Sequence, residues 1–121
     1  MPADSSVVYF ECSTPVFRVE NMEASVRFYV DRLAFENAPW GTADFTCVTR
    51  GQASIYLCRG AQGRGGAWAW IGVGDAEKLH RELVARDVAI LLPPTEFSWA
   101  VEMQVEDPDG NVLRLGSAPR S

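Results

Sequence analysis

The side chains able to do covalent or metal chemistry are few and far apart. His80 is the single histidine, and no serine or cysteine lies near it in sequence. No nucleophile, base and orienting group therefore stand together as covalent catalysis requires. His80 falls among Ala76, Leu79, Leu83 and Val84, which are spaced as one stripe of a helix, so it is expected in a covering layer and not in a groove. Cys12, Cys47 and Cys58 are odd in number, widely spaced and set in strand-like stretches. They are expected to be buried free thiols, with neither a disulfide framework nor a thiolate zinc site. Glu11, Glu96 and Glu102 are the carboxylates that could face a hard cation, but three scattered acids make a poor donor set. Recognition chemistry is better represented. Trp40, Trp68, Trp70 and Trp99 offer flat apolar rings, while Arg18 and Arg114 offer a planar fork for carboxylates. Trp68 and Trp70 are two apart and share a strand face, and one of them is expected to fill the core. Trp40 and Trp99 adjoin proline-containing breaks, where stacking on a ligand and structural packing weigh equally.

Composition narrows the classes. A chain of 121 residues with 47% apolar content can bury the core of one compact domain. No run approaches the ~18 to 20 apolar residues that span a bilayer, and residues 1–6 lack the basic and apolar parts of a secretory signal. A cytoplasmic protein with no membrane partner is expected. A net charge of -5 and a pI near 4.8 speak against nucleic acid, and their long-range field favours cationic ligands.

The elements that must position these groups are clearest at the C-terminal end. Asp107-Pro108-Asp109-Gly110-Asn111 has the residues of a tight turn between two alternating strands. On the entry side Val101, Met103 and Val105 alternate with polar neighbours. On the exit side Leu113 and Leu115 face one way and Arg114 the other. Earlier in the chain, residues 7–10 and 14–19 read as strands, with Phe17 and Val19 opposite Val16 and Arg18. Asn21 caps a helix over residues 22–33, whose stripe is Met22, Ser25, Val26, Tyr29, Val30 and Leu33. The pattern breaks at residues 36–41, and strands at 45–49 and 53–58 meet at Arg50-Gly51. Residues 59–66 hold four glycines and read as a flexible linker. The order then begins again: a strand at 67–73, Asp75 as cap, a helix to about Arg86, a strand at 89–92, a break at Pro93-Pro94 and the final hairpin. The expectation is α+β, one domain over 1–121, with βαβββ modules at 7–58 and 67–117. Each helix covers one face of its sheet, so pairing the two mixed sheets makes an incomplete barrel around a groove.

Residues 26–35, with Phe28-Tyr29 and Leu33-Ala34-Phe35, resemble the "FY...LGF" helix end of the vicinal-oxygen-chelate superfamily, with Ala34 where glycine is usual. The Asp-Pro-Asp-Gly-Asn turn, preceded by Trp99 and Glu102, resembles the C-terminal signature of its bleomycin resistance proteins. This superfamily also includes glyoxalase I and extradiol dioxygenases. The resemblance places its metal positions on Thr14, Tyr56, Trp68 and Arg114. A hydroxyl, a phenol, an indole and a guanidinium are not ligands for a divalent cation, and Arg114 would repel one. No metal, cofactor or catalytic residue is expected. The resemblance implies a homodimer that sequesters a planar, cationic, drug-like small molecule, with Arg18, Trp40, Phe45, Tyr56, Trp68, Trp99, Glu102 and Arg114 as the binding residues. The alternatives are a metal-dependent glyoxalase-like lyase, isomerase or dioxygenase with displaced ligands, and a structural or regulatory dimer with no small-molecule role. Whether Glu102 meets Arg114 depends on a hairpin register that the sequence leaves open.

Overall fold

A computed structural model describes residues 8–9, 11–60, 62 and 66–119. β1 (Val16–Arg18) leads into α1 (Met22–Arg27), which continues as a wider π-helical turn over Phe28–Arg32, followed by β2 (Glu36–Asn37), β3 (Phe45–Arg50) and β4 (Ala53–Cys58). The second half runs β5 (Trp68–Gly72), α2 (Ala76–Ala85), β6 (Ile90–Glu96), β7 (Val101–Glu106) and β8 (Val112–Ser117). The sheets have the same plan, β1-β4-β3-β2 and β5-β8-β7-β6, each with its first pair parallel and the rest antiparallel. Val19 N–H donates to Cys58 O at 3.0 Å, and Val73 N–H to Gly116 O at 2.8 Å, so the chain leaves β1 and β5 by the same step. Two βαβββ modules are thus present.

Local chemistry explains the helices. The Asn21 side chain accepts from Ala24 N–H, and that of Asp75 from Glu77 and Lys78 N–H, which satisfies donors that a helix start leaves open. Both helices end in a left-handed residue, Ala34 at φ 61° and Asp87 at φ 62°. A Cβ is strained there by roughly 1–2 kcal/mol, which is why glycine suits the position and alanine does not. Ala34→Gly is expected to raise stability by about 0.5–1 kcal/mol after the extra chain entropy of glycine is subtracted, and urea unfolding measures it.

Three expectations change, and that of a flexible linker falls partly outside the described residues. The strand at residues 7–10 includes positions outside the described residues, and Val8 and Tyr9 are not in a strand. Of the linker, residues 61 and 63–65 also lie outside them. The stretch at 36–41 contains the short β2, paired with β3. Pro93-Pro94 does not end its strand, because β6 is the outermost strand of its sheet and shifts register on both sides of Leu92, where missing N–H donors cost nothing.

The core joins the modules. Phe17, Ile55, Leu57 and Tyr29 from the first meet Leu83, Met103, Val105, Leu113 and Leu115 from the second. The Asp107–Asn111 turn fastens them from one side. Tyr29 Oη donates to the buried Asp107 carboxylate at 2.9 Å, Ser25 Oγ to Asp109 at 3.1 Å, and Asn111 Nδ2 to Arg18 O at 3.2 Å. The two stretches that carry the family resemblance, the Phe28-Tyr29 helix end and the Asp-Pro-Asp-Gly-Asn turn, are therefore in contact. Burial first, and then the neighbouring Asp107 carboxylate, push the Tyr29 phenol well above its ordinary pKa and keep it a donor.

Candidate binding site

Strand alternation divides each sheet into a helix-covered face and an open one. In the second sheet Met103, Leu115 and Ile71 pair across three strands on the covered side, as do Val105, Leu113 and Ala69. The open side carries Trp70, Arg114 and Gln104 in one row, and Gly72, Gly116 and Glu102 in the next. Trp68 therefore shares the open side with Trp70. Neither fills the core: they are 58% and 47% exposed, contrary to the expectation from their bulk. Ala69 and Ile71 occupy the inward positions instead.

The hairpin register brings Glu102 and Arg114 together. Arg114 Nε donates to Glu102 Oε2 at 2.8 Å and Nη2 to Oε1 at 2.9 Å, a two-pronged pair. Gln104 Nε2 donates to Oε2 at 2.9 Å and Trp99 Nε1 to Oε1 at 3.4 Å. Glu102 is only 2% exposed, and each of its oxygens already accepts twice. The Arg114 guanidinium is the largest cause that holds its pKa at about 2, against burial, with Gln104 and Trp99 assisting. Arg114 Cζ lies 5.2 Å from the Trp70 ring centroid. Trp99 stacks on Phe97 at 4.6 Å and 11°. The result is a saturated polar centre between two aromatic borders.

The first sheet offers a second aromatic run. Phe45 stacks with Trp40 at 6.2 Å and packs against Tyr56 at 5.1 Å, and Arg18 is exposed at the β1 edge of the same face. The eight expected residues thus form two groups: Arg18, Trp40, Phe45 and Tyr56 on one sheet, and Trp68, Trp99, Glu102 and Arg114 on the other. Among the described residues no hydrogen bond, ion pair or ring contact links the groups. Trp70, outside the eight expected binding residues, stands on the same open face as Trp68, as its alternation with Ala69 and Ile71 requires. A cavity of about 750 Å³ lies elsewhere, between the β3–β4 turn and α2, and is lined by covered-face residues such as Leu33, Leu83, Leu113 and Leu115 and by the Arg50–Glu82 ion pair. None of the eight residues reaches it.

The donor set does not suit a divalent metal. Register makes Tyr56 and Arg114 equivalent on β4 and β8, and their phenol and guanidinium occupy the matching points. Among the described residues no group of three or more His, Cys, Asp or Glu converges. No helix is long and apolar enough to cross a membrane.

Paired βαβββ modules, each with one helix-covered and one open sheet face, define a glyoxalase-like fold. The chain belongs to the Glyoxalase/Bleomycin resistance protein/Dioxygenase superfamily, whose profile matches residues 12–115. A similar solved structure is the bleomycin-binding protein of Streptomyces verticillus complexed with copper(II)-bleomycin, at 30% identity and TM-score 0.78, covering 93% of this chain and 99% of that one. The antibiotic-binding protein TnmS3 of a Streptomyces species (21%, TM-score 0.72, 92% and 99%) and the lactoylglutathione lyase of Agrobacterium tumefaciens (14%, TM-score 0.70, 88% and 92%) share the fold. No curated protein matches the chain by sequence.

Proposed function

We propose that the chain is a metal-independent binding protein of the bleomycin resistance type, a cytoplasmic homodimer that sequesters a planar small molecule without altering it. The observation that carries this is the open face of the second sheet, where Trp68, Trp70 and Trp99 stand exposed around a charge pair that is already neutralised. Exposed indoles gathered on one face mark a surface that something flat is meant to cover. The aromatic run of the first sheet supplies the opposite wall, which a second copy brings into place if the open faces are paired between chains. The similarity to a protein complexed with copper(II)-bleomycin supports a ligand with flat rings, and a net charge of -5 draws a cationic one by its field.

Titration with copper(II)-bleomycin is expected to quench tryptophan fluorescence saturably, with the ligand recovered unchanged and the protein dimeric by light scattering. Absence of quenching would sink the reading. Multiple turnovers of any added substrate that vanish with EDTA would instead establish the metal-dependent lyase, isomerase or dioxygenase alternative.

A further inference from the structure

Trp70 lies where it does because residue 116 has no side chain. A Cβ at Gly116 would sit 2.6 Å from Trp70 Cζ2 and 2.9 Å from Cζ3, and closer still to Cη2. The benzenoid end of the indole fills the space that any other residue would claim. Gly116 is inside β8 and its φ is not left-handed, so the backbone does not demand glycine there. What demands it is the ring. Beside the ring, the Arg114 guanidinium cannot swing away, because Nε and Nη2 are held by Glu102, itself held by Gln104 and Trp99. Trp70 is a clamped platform with about half its surface free.

The hydrogen-bonding state of this face then selects the ligand. Both Glu102 oxygens are committed, so the carboxylate held against Arg114 beside Trp70 is closed to a cation. Arg114 is 36% exposed, and its Nη1 carries two N–H donors with no partner among the described residues. The geometry points to a stacking subsite on Trp70 for a planar heteroaromatic ring whose edge carries an acceptor, a ring nitrogen or carbonyl oxygen, that receives a hydrogen bond from Arg114 Nη1. Gly116 is the positioning residue that sets this specificity. The inference rests on the reading of the chain as a binding protein and names the part of the ligand that its second sheet takes.

Two fluorescent probes separate the possibilities: lumichrome, planar and neutral with acceptors at its edge, and proflavine, a planar cation with none free at neutral pH. The full chain is expected to bind lumichrome at least about tenfold tighter, and Gly116→Ala to lose about tenfold for lumichrome but under about twofold for proflavine, in keeping with what one stacked ring contributes. Trp70→Ala, a change at a half-exposed side chain, is expected to show the same loss. Adding Gly116→Ala to it should then have no further effect, because the two act through one ring. A merely structural glycine would weaken both probes alike and add its effect to that of Trp70→Ala. Equal or tighter proflavine binding, wild-type affinity in Trp70→Ala, or additivity in the double variant would overturn the subsite. If neither probe binds, the subsite is wrong, while the broader reading stands or falls on the copper(II)-bleomycin titration.

Discussion

Asp107→Ala is expected to lower stability by about 3–5 kcal/mol, from four lost hydrogen bonds at about 1 kcal/mol each and the stranding of their buried donors. Asp107 Oδ1 accepts from Asp109 N–H and Asn111 N–H, each at 2.9 Å, and Oδ2 from Tyr29 Oη at 2.9 Å and Asn111 Nδ2 at 3.0 Å. Two of these shape the turn, and one ties it to the opposite module. Asn111 Oδ1 in turn accepts Ala67 N–H at 3.0 Å, so the loosened turn also releases the entry to β5. Against a total of ~5–15 kcal/mol this is a large share, and a drop in melting temperature of the order of 15 °C should accompany it. Tyr29→Phe removes one donor only and is expected to cost about 1–2 kcal/mol. If Asp107→Ala unfolds within about 1 kcal/mol of wild type, the turn is an ordinary surface hairpin and not the fastening between modules.

Arg114→Met is expected to reverse the sign of Glu102's contribution to the pH dependence of stability between about pH 7 and pH 2. In the native chain Glu102 is held at about 2, first by Arg114 and then by Gln104 and Trp99, against burial. That value lies below the ~4.3 of an unfolded glutamate, so the folded state binds fewer protons. Its contribution, about 3 kcal/mol at most, is present above about pH 5 and fades as pH falls from about 4.5 to 2. Without Arg114 the largest lowering cause is gone, and burial, which raises the value, acts against only the two neutral donors. The variant should then be destabilised at pH 7 and regain stability on acidification. Urea unfolding across this range reads the slope directly, and parallel profiles for the two proteins would refute the assignment. The double variant Arg114→Met/Glu102→Leu should recover much of the loss at pH 7, since packed apolar groups often replace a buried pair without penalty.

How much of this was legible depends on the range of the forces involved. The duplicated βαβββ order, the caps at Asn21 and Asp75 and the turn at 107–111 follow from spacing and local hydrogen-bond chemistry within a few residues. So does the facing of Arg114 away from Leu113 and Leu115, because side chains alternate along any strand. Trp70 shows where a local rule misleads. Its bulk argued for the core, yet α2 covers the side of the sheet where Ala69 and Ile71 point, and burial there belongs to the smaller residues. The prolines of β6 misled in the same manner, since an edge position is a property of the whole sheet.

Periodicity, turn residues and caps were enough to specify two modules and the face on which Arg114 stands, because each acts over one helical turn or one hairpin. Which groups meet across the sheet was settled by folding alone: Glu102 with Arg114, Trp70 with Gly116, and Asp107 with Tyr29. A one-residue slip in register would part the first two pairs, and the third joins positions 78 apart in the chain. The polar centre of the candidate site exists because the β7–β8 register brings an acid and a base to the same face and the surrounding core holds them there.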